Sequence, residues 1–375
     1  MTVAAAVFAI IAGLVALLGL TGKITVPRPW MRTMLAGLPV VAIAGATFGP
    51  NGWTLTTVIA MTVAVLAGML ASLIGPAELA SPAGHWVAQA WRLTSVLLVG
   101  IVLGSAVIRW GSSIVAPMPL ISPRDLALVL VVAAVAAAAR GGSLRGLVST
   151  GTVILLVLFV LVLLAGFGAG TPGTVAAPLM SVTQPTSTWL FLLVVFVLAA
   201  SNPALRQIRA EGQSIVPGTI ILAVVMLLGL AALLSFSGGY VTLPSFGFGT
   251  VAGYIGFASP ALSALVGGLV VIVVLAAAVL AYRGVFTTHY SFRGGTAPVD
   301  HWWRSRWFVA VVIGVIALVT ALYPIPQEPI LWLAALFAVS GWVVAWWAGR
   351  QPDDADAEGI DPVAVGQGRS ESPGH

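Results

Sequence analysis

The chain has 375 residues, 59% of them hydrophobic and only 7% charged, with 42 Gly and 23 Pro and a mean hydropathy of +1.08. An ordinary globular domain carries roughly a quarter charged residues, so a water-soluble fold is excluded and the chain reads as an all-α polytopic membrane protein, in whose lipid-embedded helices Gly and Pro are well tolerated. The net charge of +5 does not point to nucleic acid: the 16 basic residues form no patch, and six of the 11 acidic ones (Asp353, Asp354, Asp356, Glu358, Asp361 and Glu371) lie in the final segment.

A run of about 20 apolar residues crosses a bilayer core. Eleven such runs are read along the chain, over 2–20, 33–50, 53–75, 93–115, 125–139, 147–168, 188–205, 216–236, 260–282, 307–324 and 329–348. The run 125–139 is short, and 33–50 is interrupted by Pro39, Gly45, Gly49 and Pro50. Three regions follow: 1–32, an extra N-terminal transmembrane helix with a basic inward loop; 33–350, a ten-helix membrane core; and 351–375, an acidic Gly/Ser/Pro-containing tail with too little apolar surface to fold. The connections 169–187 and 237–259 are uncharged and rich in Gly, Pro, Ser and Thr. The connection 283–306 carries an aromatic and cationic run, His301, Trp302, Trp303, Arg304 and Arg306, suited to the headgroup layer.

Charge sets the orientation. With the N-terminus outside, thirteen basic residues from Lys23 to Arg350 fall on one side and only Arg109 and Arg124 on the other. Cytoplasmic loops carry the excess of Lys and Arg, so the expectation is a multi-pass protein of the cytoplasmic (inner) membrane, N-terminus out and C-terminus in. The first run, with no basic residue before it, reads as a retained helix rather than a cleaved signal peptide.

Chemistry-bearing residues are few. The absence of Cys removes disulfides, thiolate metal sites and a cysteine nucleophile, and four His offer little to a metal; no metal and no cofactor is expected. An ionisable residue inside the membrane is by default a functional candidate. Arg109, about 25 Å along its helix from Arg92, is the deepest charge, and either snorkels to the outer interface or forms an outer ion pair with Asp125 or Glu328. Serine or aspartyl intramembrane protease sets, acidic metal clusters and a P-loop are missing, so no enzyme is expected. Backbone remains. The run Val197-Leu-Ala-Ala-Ser-Asn-Pro203 ends an apolar span in helix-leaving residues. It reads either as the plain cytoplasmic end of that span or as a broken helix of the kind whose freed N–H and C=O groups bind solutes in transporters.

From about residue 40 to 350 the chain resembles the amino-acid/polyamine/organocation (APC) transporter superfamily. The blocks that carry the resemblance are GPAELASPAGHW (75–86), the basic turn joining two helices within 131–168, and VVFVLAASNPALRQIRAEGQSIVPGTIIL (194–222), which looks like a broken sixth helix, an acidic residue after it and a Pro opening the seventh. The resemblance implies a five-plus-five inverted repeat after one extra N-terminal helix. It also implies breaks in the first and sixth core helices, with Gly45, Ala46, Thr47, Phe48, Gly49, Ser201 and Asn202 lining a pocket for a small organic solute such as an amino acid or amine. The expected function is a secondary transporter or permease. The alternatives are a non-catalytic subunit or scaffold of a cell-envelope complex, presenting small-residue motifs such as Gly100-x-x-x-Gly104 to a partner membrane protein or a second copy, and a lipid-precursor translocator. Beyond the solute and the lipid bilayer, the sequence names no partner.

Overall fold

The computed structural model describes residues 28–48, 55–74, 86–115, 122–140, 144–169, 186–236, 260–292, 305–323 and 327–348. Among them there is no strand, and eleven helices follow in order: α1 Pro29–Phe48, α2 Leu55–Ala71, α3 Trp86–Val115, α4 Pro123–Arg140, α5 Arg145–Ala169, α6 Thr186–Ala200, α7 Pro203–Ala210, α8 Val216–Phe236, α9 Pro260–Phe292, α10 Arg306–Leu322 and α11 Gln327–Ala348. The expected run 2–20 and the tail 351–375 lie outside the described residues. The other ten runs all fall on helices, with differences at their ends: α1 begins at Pro29, inside the segment assigned to the basic loop, because a proline at the first helical position gives up only a donor that has no helical partner there; α3 begins at Trp86 rather than 93, α9 continues past 282 to Phe292, and the run 188–205 is split between α6 and α7.

Among the described residues, four stretches are long and apolar enough to cross a membrane: Val87–Val115, Trp189–Ala210, Ala264–Thr288 and Pro329–Trp347. The chain is a multi-pass membrane protein by this content and by its fold. The outer faces agree: α10 exposes Trp307, Val311, Val315 and Val319, and α11 exposes Leu333, Leu336, Val339 and Val343, surfaces that would be costly in water. Backbone groups are satisfied within helices, as hydrocarbon demands. Several interior hydroxyls turn back on their own helix, Ser95 donating to Arg92 O (2.8 Å) and Thr219 to Ile215 O (2.9 Å).

The centre is the antiparallel pair α3 and α9, the two longest helices at 30 and 33 residues. A glycine stripe sets their approach. A Cβ on Gly100 would lie 2.0 Å from Val285, on Gly104 2.5 Å from the Tyr282 ring, and on Gly111 2.3 Å from Val274. The Gly100-x-x-x-Gly104 motif therefore faces the chain's own α9, and is spent inside the fold rather than on a partner. Around this pair, α1 packs on α3, α5, α8 and α9; α11 and α10 cover other faces of α3; and α2 bridges α6 and α8. Buried side chains from nearly every helix, among them Met34, Met69, Leu103, Ile154 and Tyr282, merge into one core.

Candidate functional site

The span 186–210 is broken. α6 ends at Ala200, Ser201 and Asn202 are non-helical, and α7 starts at Pro203. Asn202 is extended (φ −61°, ψ 117°), and its Oδ1 accepts from the Ala204 N–H at 3.0 Å, so it N-caps α7 with Pro203 at the first helical position. The other end of the same amide crosses the bundle: Nδ2 donates to the Ala36 carbonyl of α1 at 2.7 Å. That carbonyl adjoins a weak point of α1, since Pro39 cannot supply the N–H that Leu35 O would accept.

The break lies deep in the protein. Ser201 is 3% and Asn202 1% exposed, and Pro203 sits against Gly100, at the midpoint of α3. It is also closely enclosed: a Cβ on Gly284 of α9 would meet the backbone of Pro203 and Ala204 at 2.6 and 2.7 Å. On the α2 side, a Cβ on Gly68 would meet Phe196 O at 2.4 Å. Against this packing the Ser201 hydroxyl is buried with no hydrogen-bond partner, as are Ser149 and Thr150 of α5. A buried hydroxyl left unbonded costs about 1–3 kcal/mol.

Of the residues expected to line a pocket, Ser201 and Asn202 occupy the break. Gly45, Ala46, Thr47 and Phe48 continue α1 as regular helix, and Gly49 lies outside the described residues. Glycine here misleads because membrane helices tolerate it. The α1 residue that meets the break is Ala36, nine positions or about 13 Å earlier along the helix axis. Arg109 and Asp125 are not brought together. Asp125 accepts from Ser122 Oγ (2.7 Å) while its N–H reaches the same oxygen (3.1 Å), a capping box at the start of α4 that occupies the carboxylate locally. Nη1 of Arg109 is buried without a hydrogen-bond partner. Among the described residues no three His, Cys, Asp or Glu gather.

Below the break, α7 leads into a charged layer that the sequence reading missed. Arg32 of α1 pairs with Glu211 through both guanidinium nitrogens, one contact at 3.1 Å, and Nη1 also reaches Gln213 at 3.4 Å. The hydrogen bonds from Arg32 hold the Glu211 carboxyl below its ordinary range. Gly212, at φ +74°, makes the turn after α7 in a conformation that side-chain-bearing residues avoid. Arg209 donates to Ser72 O at 2.8 Å, fixing the end of α2 to α7. The alternation of basic residues marks this end of the bundle, but nothing in residue type tells which Arg meets which carboxylate.

A second opening, a cleft of about 270 Å³ including its open mouth, lies between α3, α10 and α11 and is lined by Val102, Ser105, Ala106, Thr320, Ile330 and Leu331. Its two hydroxyls bond each other at 2.7 Å, and Ser105 donates to Ala317 O at 3.3 Å. Its polar groups are satisfied.

The fold is similar to that of MhsT. The crystal structure of that protein in complex with L-phenylalanine superposes with a TM-score of 0.54 at 14% identity, covering 86% of this chain and 88% of the other. At this identity the likeness is one of fold. No family model matches the sequence, and neither does any curated protein.

Proposed function

We propose that this chain is a secondary transporter for a small organic solute, an amino acid or amine in the first instance, and that the break at Ser201–Asn202 is its binding locus. The observation that carries the reading is an interrupted helix buried inside the bundle with an unbonded Ser201 hydroxyl beside it. Irregular backbone persists inside a membrane only where protein or water faces it, and half-helix ends offer partial charges to a solute without any ionisable side chain. The fold shared with MhsT supports the reading. So does the placing of the long helix α9 third among the last five spans, as α3 is third among the first five, the order expected of a five-plus-five inverted repeat.

The packing of Gly284 and Gly68 against the break describes a closed arrangement. Admission of a solute requires α6 and α7 to part from α1, with loss of the Asn202–Ala36 bond. The small-residue motif that the scaffold reading would present to a partner, Gly100–Gly104, is turned inward onto α9.

Purified protein reconstituted in liposomes and challenged with radiolabelled amino acids and amines tests the proposal. Counterflow of at least one compound is expected, with Ser201→Ala raising its KM several-fold while thermal stability is unchanged or higher, since an unbonded buried hydroxyl is removed. No uptake of any compound across the panel, or unchanged kinetics in Ser201→Ala, would sink it.

A further inference from the structure

Arg109 sits inside an apolar helix without a counter-charge. The residue is half-buried, and its Nη1 is enclosed by protein with no hydrogen-bond partner. Among the described residues no carboxylate pairs with it, and Asp125 stays on Ser122. A charge within a membrane span ordinarily has a partner, because leaving it bare is costly. Arg109 lies six residues, or about 9 Å, inside the end of α3 at Val115, a depth from which a long cationic side chain reaches the headgroup border.

Helical spacing sets this cation over the cleft between α3, α10 and α11. Arg109 follows Val102, Ser105 and Ala106 by seven, four and three residues, so all four share one face of α3, and the other three line the cleft with Thr320, Ile330 and Leu331. The lining lies about 5 to 10 Å nearer the middle of α3 than Arg109 does. α11 runs antiparallel to α3, since Ile330 and Leu331 share the cleft with Val102–Ala106 while Gly341 lies against Ser95 and the Trp91 carbonyl. That register puts Arg109 level with the opening turn of α11, which starts at Gln327. The start of a helix is its positive end, so helix and guanidinium both favour an anion there. Glu328 belongs to that turn, its side chain outside the described residues.

We propose that the cleft holds an anionic phospholipid, its phosphate on Arg109 and part of one acyl chain along Val102, Ala106, Ile330 and Leu331. Head towards the membrane surface and chain towards the middle is the order in which a leaflet presents a lipid, and it is the order of cation and apolar lining along α3. Beside Thr320, Val319 and Tyr323 are exposed, so the cleft gives onto the apolar outer surface of α10 and a chain enters sideways from the bilayer. The hydroxyls of Ser105 and Thr320 bond each other at 2.7 Å and ask nothing of a ligand. Arginine meets phosphate through two parallel N–H bonds, which selects an anionic headgroup over bare hydrocarbon. The site is independent of the transport reading.

Photo-crosslinking of the full chain tests this. Phosphatidylglycerol and phosphatidylcholine carrying the same diazirine-bearing acyl chain are each incorporated into nanodiscs with the wild-type protein, and the adducts are mapped by peptide mass spectrometry. Adducts within Val102–Ala106 or Ile330–Leu331 are expected to be several-fold more abundant with phosphatidylglycerol, a comparison that needs no variant to fold. Arg109→Gln should remove the headgroup preference and Arg109→Lys should keep most of it. Glu328→Gln should leave the yield unchanged. Equal labelling by the two lipids, or adducts spread over the outer faces of α10 and α11 instead of the cleft, overturns the proposal. So does a headgroup preference that appears only in Glu328→Gln, which would assign Arg109 to an ion pair within the chain. Loss of the adducts on adding inorganic phosphate at constant ionic strength would likewise overturn it, because the site would then take a free anion.

Discussion

Asn202 performs two tasks with one amide, and they are separable. Its Oδ1 caps α7 and its Nδ2 ties the break to Ala36 O. Asn202→Ser keeps a capping oxygen but is too short to cross to α1, so it removes only the interhelical bond, worth about 0.5–1.5 kcal/mol net. Asn202→Ala removes the cap as well, a further loss of about 1 kcal/mol. Unfolding of the two variants in detergent is expected to rank wild type, Ser, then Ala, and equal stability of Ser and Ala would show that the cap contributes nothing. Half of this residue's role was legible in the sequence, since Asn followed by Pro is a helix-start signal wherever it occurs. The other half was hidden, because its partner is a backbone carbonyl 166 residues away and a carbonyl has no residue-type signature. The same asymmetry explains Asp125: spacing along the chain suggested a partner across the membrane surface, whereas a Ser three residues earlier had already taken the carboxylate.

At the scale of elements, the apolar runs within the described residues marked where helices lie, because a membrane span must be both long and apolar and few sequences satisfy that by accident, but not where they end: α3 starts at Trp86 and α9 continues to Phe292. What a glycine in such a run does was not legible. Gly45 reads as a breaker and is helical; Gly284 draws no notice in the sequence and is the point where α9 touches the broken segment. A Cβ there would press on the Pro203 and Ala204 backbone, which cannot yield as a flexible side chain would. Gly268, in the same helix, has nothing within 4 Å of its would-be Cβ. Gly284→Ala is therefore expected to destabilise by about 1–3 kcal/mol through overpacking. Gly268→Ala is expected to be neutral or to stabilise by up to about 1 kcal/mol through helix propensity. Thermal unfolding of the matched pair checks this, and a Gly284→Ala variant as stable as Gly268→Ala would mean that α9 does not approach the break so closely.

At the scale of the whole molecule, the alternation of basic residues and the geometry meet in one arrangement. Residues assigned to inward loops, Arg32, Arg92, Arg206, Arg209, Arg283 and Arg306, are within electrostatic or hydrogen-bonding reach of one another or of Glu211, although they come from distant parts of the chain. Arg109 lies about 25 Å away from Arg92 along α3, towards the other end. A span added or lost between any two of these arginines would have placed them at opposite ends of the bundle, so their convergence supports the parity of the count from α1 to α10. Which end faces the cytoplasm follows from the positive-inside rule alone, and it yields the topology prediction. Reporter fusions in the connection 141–143 should report the cytoplasm, and fusions in 170–185 the opposite side; a label on Ala210→Cys should be blocked by a membrane-impermeant thiol reagent only after permeabilisation. Labelling of Ala210→Cys in intact cells would invert the molecule, and fusions at the two connections reporting the same side would break the alternation on which the reading of the bundle rests.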